Sequence, residues 1–266
     1  VQRRTGAGGL ALRALGWIGV VLLVAPLAAL VFRTPLGNLG ELVGDGEVWD
    51  AIRLSLVCAV CATAVCAVVG TPIAALLAGP AFPGKRVVRA LVTVPMLMPP
   101  VVGGVALLAS LGRRGVAGQY LFEAFGLSLS FTTTAVVIAQ AYVALPFFVM
   151  SVEGALLSRD RDVEEAVSTL GADPGTIFRR VTLPAVLPGI GAGAVLAAAR
   201  ALGEFGATIT FAGNLQGVTR TMPSEIYIAL QTDPDRANLL SIALIVVSLL
   251  VLVVLRGRWA DRVGVS

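Results

Sequence analysis

Histidine is absent from the 266-residue chain. That absence removes the side chain that most often acts as a general base near neutral pH, and the commonest ligand for transition metals. Charge is scarce as well. Asp, Glu, Lys and Arg make up 14% of the residues, against roughly 25% in an ordinary soluble domain. Aromatic residues account for 6%, which argues against base-stacking platforms. The formal charge of +4 is scattered over short segments instead of gathered on one face, so it is not a nucleic-acid footprint. Three cysteines, Cys58, Cys61 and Cys66, lie in one apolar stretch, CAVCATAVC. The C-x-x-C spacing of the first two suggests a redox pair or half a zinc site. No second ligand pair accompanies it, and small buried thiols fit the apolar setting better.

What the chain does have is apolar length. Hydrophobic residues make up 57% of it and the mean hydropathy is +0.89. About 20 mostly apolar residues suffice for a helix to cross a bilayer, and six runs qualify: about 14–33, 52–78, 88–111, 132–153, 185–207 and 238–255. The expectation is an all-α, polytopic membrane protein forming a single transmembrane domain over 1–266. The first run is preceded by Arg3, Arg4 and Arg13 in the manner of a signal peptide. It is long and lacks a clear cleavage site, so it reads as an anchor. With both termini cytoplasmic, thirteen Lys and Arg residues fall inside and six outside, which favours that orientation.

Between the fourth and fifth runs, residues 159–184 carry a polar insert on the cytoplasmic side. Val163, Ala166, Val167 and Leu170 recur with helical spacing, giving a short helix one apolar face. Asp162 and Glu164 stand at its start, where carboxylates suit the dipole. Gly171 suits the left-handed residue that ends a helix. Asp173 followed by Pro174 reads as the cap and first position of a second short helix through Gly175–Arg180. Helices this short are not stable alone. On pattern alone they lie on the bilayer, pack under the bundle, or dock into a partner's groove.

Glu165-Ala166-Val167, then Gly171, then Val181-Thr182-Leu183-Pro184 resembles the loop E-A-A-x3-G-x9-I-x-L-P of ABC importer permeases. Valine replaces the second alanine and the isoleucine. The resemblance implies a type I ABC importer permease fold with cytoplasmic coupling helices, gripped by a separate ATPase. The residues carried over for that coupling are Glu165, Ala166, Val167, Gly171, Val181, Leu183 and Pro184. It implies a homodimer, two ATP-binding-cassette ATPase subunits and an extracytoplasmic binding protein, in the inner membrane of a bacterial or archaeal cell. ATP and magnesium would belong to the ATPase, with no cofactor in this chain. GPAFPGKR at 79–86 comes close to a phosphate loop. A span precedes it, two prolines stiffen it, and Arg86 replaces the required hydroxyl, so it reads as a cytoplasmic turn with Lys85, Arg86 and Arg89 as topology anchors. No nucleotide-binding domain and no C-terminal regulatory domain are expected.

Two further stretches, 95–118 and 199–223, resemble the oxyanion branch of that family: the molybdate permeases, with sulfate and tungstate permeases as near relatives. Read from the residues, Pro95, Pro99 and Pro100 must interrupt the third run, and Gly103-Gly104 lets another backbone approach. Either a kink or a set of amides facing a passing anion results. Gly189, Gly193, Ala197 and Ala201 form a small-residue stripe, for packing within the subunit or at a dimer seam. Arg200 and Glu204 stand one turn apart in the fifth run, where a charge must face protein or water. They either neutralise each other or put Arg200 beside the translocation path, with Pro99, Pro100, Gly103, Gly104 and Glu204. Outside, a short helix is expected from Pro223, with Ile226, Tyr227 and Leu230 toward the membrane or the dimer. Asp45, Glu47, Asp50, Asp233 and Asp235 read as solvated turns or docking charges. An intramembrane enzyme fits less well, for want of His and of paired carboxylates. An ion-driven secondary transporter is the other rival, and no convincing inverted repeat supports it.

Overall fold

The computed structural model describes residues 7–263 apart from 36, 38, 39 and 41–43. Arg3 and Arg4, counted above as inside charges, lie outside the described residues. Among the described residues every regular element is helical. Helix α1 covers Ala7–Arg33 and α2 Gly46–Ala78. Then come α3 (Lys85–Leu97), α4 (Pro100–Leu111) and a short helix α5 (Gly118–Phe125). Helix α6 is Thr133–Ser158 and α7 Arg161–Thr169. Pro174–Ile177 forms α8, Phe178–Thr182 is a π-turn, and Leu183–Leu202 is α9. Helices α10 (Gly206–Phe211), α11 (Met222–Thr232) and α12 (Pro234–Val263) complete the chain.

Among the described residues, five helical stretches are long and apolar enough to cross a membrane, and the pair α3–α4 makes a sixth if counted as one broken span. The expectation of a single helix over 88–111 is corrected here. The chain turns by 116° between α3 and α4. Pro95 is accommodated inside α3; the break comes where Pro99 and Pro100 follow Met98. A residue before proline is pushed out of the helical region, and Met98 is extended (φ −76°, ψ 143°). Pro99 is extended too, and Pro100 then suits the first position of α4, where no N–H is needed. The fifth run is also corrected. Helix α9 stops at Leu202 and the chain restarts as α10 at Gly206.

The core is the trio α2, α6 and α9. Lipid tails are as apolar as leucine, so spans associate through close fit more than through apolar burial. Ala59, Ala62, Cys66 and Ala74 of α2 pack with Ala144, Phe148, Val149 and Val152 of α6. A Cβ on Gly70 would lie 2.7 Å from the Phe148 ring. The stripe on α9 faces the same helix. A Cβ on Gly189 would come 2.2 Å from Cβ of Ala155, and one on Gly193 3.2 Å from the Phe148 ring and carbonyl. Ala197 and Ala201 are fully buried. Of the two uses considered for the stripe, the structure places these glycines in packing within the subunit. Helix α1, by contrast, has no buried side chain among those described.

The end of the bundle where α2 and α12 begin is fastened by charge. Asp45 caps α2 by accepting from the Glu47 N–H at 2.8 Å, and also pairs with Arg236 at 2.7 Å. Arg236 reaches Glu225 at 3.2 Å, and Arg220 reaches the same carboxylate at 3.4 Å. Asp233 accepts from the N–H groups of Asp235 and Arg236 at the start of α12. Asp45 and Asp233 thus serve as helix caps. In α11, Ile226 packs toward Val48 and Ala51, while Tyr227 and Leu230 are exposed.

Close packing of α9 on α6 sets a test. Gly189→Ala forces a Cβ onto Ala155 and should destabilise the protein by about 1–3 kcal/mol, lowering its thermal midpoint in detergent. Gly16→Ala, on α1 with nothing within 4 Å, should leave the midpoint unchanged.

Candidate functional site

Two places in this bundle break helical regularity, and the residues singled out in the sequence collect at both. The first is the elbow between α6 and α9. Asp160 caps α7 by accepting from the Asp162 N–H at 3.0 Å. Leu170 ends the helix and Gly171 follows in the left-handed region (φ 87°), a conformation a Cβ makes costly. Asp173 then accepts from the Thr176 N–H at 3.0 Å and its hydroxyl at 2.6 Å, with Pro174 at the first turn of α8. The Thr176 hydroxyl, and then its N–H, hold the Asp173 carboxyl below its usual range. This cap is intact at neutral pH and is lost as the pH falls through that lowered value.

The second coupling helix is not a separate element, which corrects the expectation of a short helix through Gly175–Arg180. The path from Pro174 to Leu202 is helical throughout, with the π-turn in its middle. Pro184 is the cause. It has no N–H, and in an α-helix its ring crowds the carbonyl four residues back. One turn widens instead, and the Leu183 N–H donates to the Phe178 carbonyl five residues back. Val181 lies in this turn, and Leu183 and Pro184 open α9.

Helix α7 turns its apolar edge away from the protein. Val163 is 46% and Leu170 86% exposed, and Phe178 beyond the elbow is 55% exposed. Glu165 and Ala166 are exposed too, with Val167 half-buried. One acidic residue behaves differently. Glu164 accepts from the Thr182 hydroxyl at 2.6 Å and pairs with Arg159 at 3.2 Å.

The second place lies within the spans, where the break between α3 and α4 meets the break between α9 and α10. A Cβ on Gly206 would lie 2.8 Å from Pro100 Cβ and 3.0 Å from the Val101 nitrogen. One on Gly104 would lie 2.7 Å from Thr210 Cβ and 2.8 Å from the Ala207 carbonyl oxygen. A Cβ on Gly103 would lie 3.3 Å from the ring of Tyr142 in α6. Pro100 and Gly104 therefore meet α10 at one crossing, whereas Gly103 lies against α6. Glu204 sits at that crossing, outside the helix that holds Arg200. Its Oε1 accepts from the Ala207 N–H at 2.9 Å and its Oε2 meets Arg200 Nη2 at 2.6 Å. The side chain of Glu204 is 1% exposed and that of Arg200 27%.

Reasoning from the sequence missed three polar residues. Gln140 is 1% exposed and neither amide atom has a partner. Thr208 is fully buried with an unpartnered hydroxyl. The α6–α9 register, Ala155 opposite Gly189 and Phe148 opposite Gly193, brings Gln140 to the level of Glu204. A lone Gln in AVVIAQAYVALPF was the available signal. Glu153 is the third, buried near the C-terminal end of α6 and paired with Arg89. In the GPAFPGKR turn, Lys85 Nζ donates to the Gly79 carbonyl at 2.7 Å, closing the end of α2.

Broken spans around a polar crossing, and a polar elbow beneath them, define a multi-pass transport protein. The family model for the binding-protein-dependent transport system inner membrane component matches residues 70–263, and the chain belongs to that family. It is a transport component and not a catalytic subunit. It is similar to the molybdenum transport system permease protein of Mycobacterium tuberculosis, at 47% identity over 90% of each chain. The protein of the same description from Escherichia coli is 40% identical over 81% of this chain and 94% of its own length. Among solved structures, a chain of the bacterial alginate ABC transporter in complex with alginate pentasaccharide-bound periplasmic protein superposes with a TM-score of 0.71. It covers 97% of this chain and 95% of its own at 17% identity, a likeness of fold alone.

The left-handed Gly171 gives the elbow a local test. Gly171→Ala should cost about 1 kcal/mol and speed hydrogen exchange of the α7 amides by about fivefold. Gly171→Asn, which tolerates that conformation, should change it less.

Proposed function

We propose that this chain is the membrane-spanning permease of an ATP-driven importer that carries an oxyanion, molybdate, into the cytoplasm. The exposed apolar edge of α7 carries the reading. A helix of nine residues with Val163 and Leu170 turned outward is unstable by itself and calls for a partner's groove. Identity of 47% and 40% to molybdenum transport permeases supports the substrate. The partners are a second copy of the chain, two ATPase subunits that seat α7, and an extracytoplasmic binding protein that delivers the anion. Both termini are cytoplasmic. ATP and magnesium belong to the ATPase, and this chain needs no cofactor. ATP binding draws the ATPases together, moves the elbow, and rocks the bundle from inward- to outward-open.

The path for the anion runs past the crossing of α4 with α10, by Pro99, Pro100, Gly103, Gly104, Arg200 and Glu204. Glu204 neutralises Arg200, and Arg200 is the more exposed partner, so its guanidinium is the group available to a dianion. The apolar cavity of about 380 Å³ between Leu56, Ala59, Ala198, Leu202 and Leu250 offers no such charge.

Labelled molybdate uptake in cells that depend on this subunit tests the reading. Uptake should require an active ATPase partner, and unlabelled tungstate should compete better than sulfate. Uptake that continues with the ATPase inactivated would refute it, and stronger competition by sulfate would move the substrate to sulfate. Arg200→Gln leaves Glu204 buried without its cation, a loss of about 3–5 kcal/mol. Arg200→Gln with Glu204→Gln removes that penalty. The double variant should assemble normally yet import about tenfold more slowly, the equivalent of about 1.4 kcal/mol in the barrier. Wild-type uptake by the double variant would reduce the pair to a structural role.

A further inference from the structure

The acidic residue that organises the elbow is not Glu165 of the coupling motif but its neighbour. Three segments meet on one oxygen of Glu164. Thr182 Oγ1, from the last residue of the π-turn, donates to Oε1 at 2.6 Å. Arg159 Nε, from the residue that caps α6, approaches the same oxygen at 3.2 Å. Glu164 itself belongs to the first turn of α7. All three side chains are withdrawn from solvent to a similar degree: Arg159 is 22% and Glu164 20% exposed, and Thr182 is half-buried. Glu165, one position on, is exposed.

Besides this carboxylate and its contacts with α8 and the π-turn, α7 joins the spans through its two connections. One is the extended pair Arg159 and Asp160; the other passes through left-handed Gly171 and extended Asp173. Both are hinges, places where backbone dihedrals absorb a displacement. A push on α7 alone would be taken up there. A hydrogen bond to an ionised group is among the stronger ties available outside the core, and this one bypasses the Gly171 hinge. It connects α7 directly to the point where the widened turn gives way to α9.

We propose that Glu164 is a positioning residue that makes the elbow a rigid lever, by tying α7 to Thr182 at the root of α9 and to Arg159 at the end of α6. The inference rests on the reading that an ATPase grips α7. It adds that grip and transmission are separate jobs, done by different faces of one short helix. The exposed edge receives the partner, and the carboxylate on the protein side passes the displacement on.

The test uses the whole transporter, permease with its ATPase subunits and binding protein, reconstituted in liposomes. Three quantities are read: ATPase retained on the purified permease, ATP hydrolysed, and molybdate imported. Thr182→Val removes the hydroxyl at nearly constant size, and Glu164→Ala removes the acceptor. Both should retain the ATPase and hydrolyse ATP while import per ATP falls about tenfold, the scale of a lost hydrogen bond to a charged group. Thr182→Ser should restore the ratio. If Glu164→Ala does not fold, Thr182→Val decides alone. An unchanged ratio in Thr182→Val, or hydrolysis and import falling together, overturns the inference and leaves the permease reading standing. Loss of the ATPase from Thr182→Val also overturns it, because the contact would then serve docking. A wild-type permease that retains no ATPase defeats the underlying reading instead.

Discussion

Lipid offers no hydrogen-bond partners, so each interruption of a helix within the spans has to be repaired by the chain itself. At the break after α3, Met98 still donates to the Val94 carbonyl at 3.1 Å, and the two prolines that follow have no N–H to leave unpaired. The Pro99 carbonyl then receives both Val102 and Gly103. At the break after α9, Gly203 and Glu204 donate backward to Ala199 and Ala201, and the Ala207 N–H is met by the Glu204 side chain. A buried carboxylate needs a counter-charge in turn, and Arg200 supplies it. The pair follows from the break, one requirement generating the next.

The two breaks meet because glycine permits it. Gly206 touches Pro100 and Gly104 touches Ala207 with no room for a methyl group on either. Irregular backbone at membrane depth is tolerated where protein surrounds it, and each break serves as part of the other's surroundings. Broken spans of this kind place helix ends and charged groups at the depth where a substrate must pass, a recurrent arrangement in transporters. Gln140 and Thr208 are buried in the same layer without partners. Unpaired polar groups are expensive in such surroundings.

Local signals were readable from the residues alone, and signals that depend on a neighbour were not. Gly171 after a periodic run, and Asp173 before Pro174, are written within a few positions, and the structure has a left-handed residue and a capped helix there. Apolar length likewise reveals spans, since it concerns only the helix and its solvent. The proline pair announced an interruption but not a 116° turn, because the angle is set by what α4 packs on, and Gly206 is a hundred positions away. Glu204 looked like a member of a continuous helix because nothing near Gly203 forbids one. The π-turn escaped because Pro184 suggested an end, whereas the chain widened one turn and continued. Glu164 was read as a dipole partner; its bond to Thr182 is invisible until the elbow closes.

Helices α6 and α9, which enter and leave the elbow, are tightly joined. At Gly189 not even a methyl fits between them. They cannot open like scissors when the elbow is pulled, and they have no slack along which to slide. A force applied to α7 therefore turns the two as one block, and the give must come at its margin. There the block meets α4 and α10, at the two breaks in the chain. A close joint above the elbow thus decides where the molecule is able to bend.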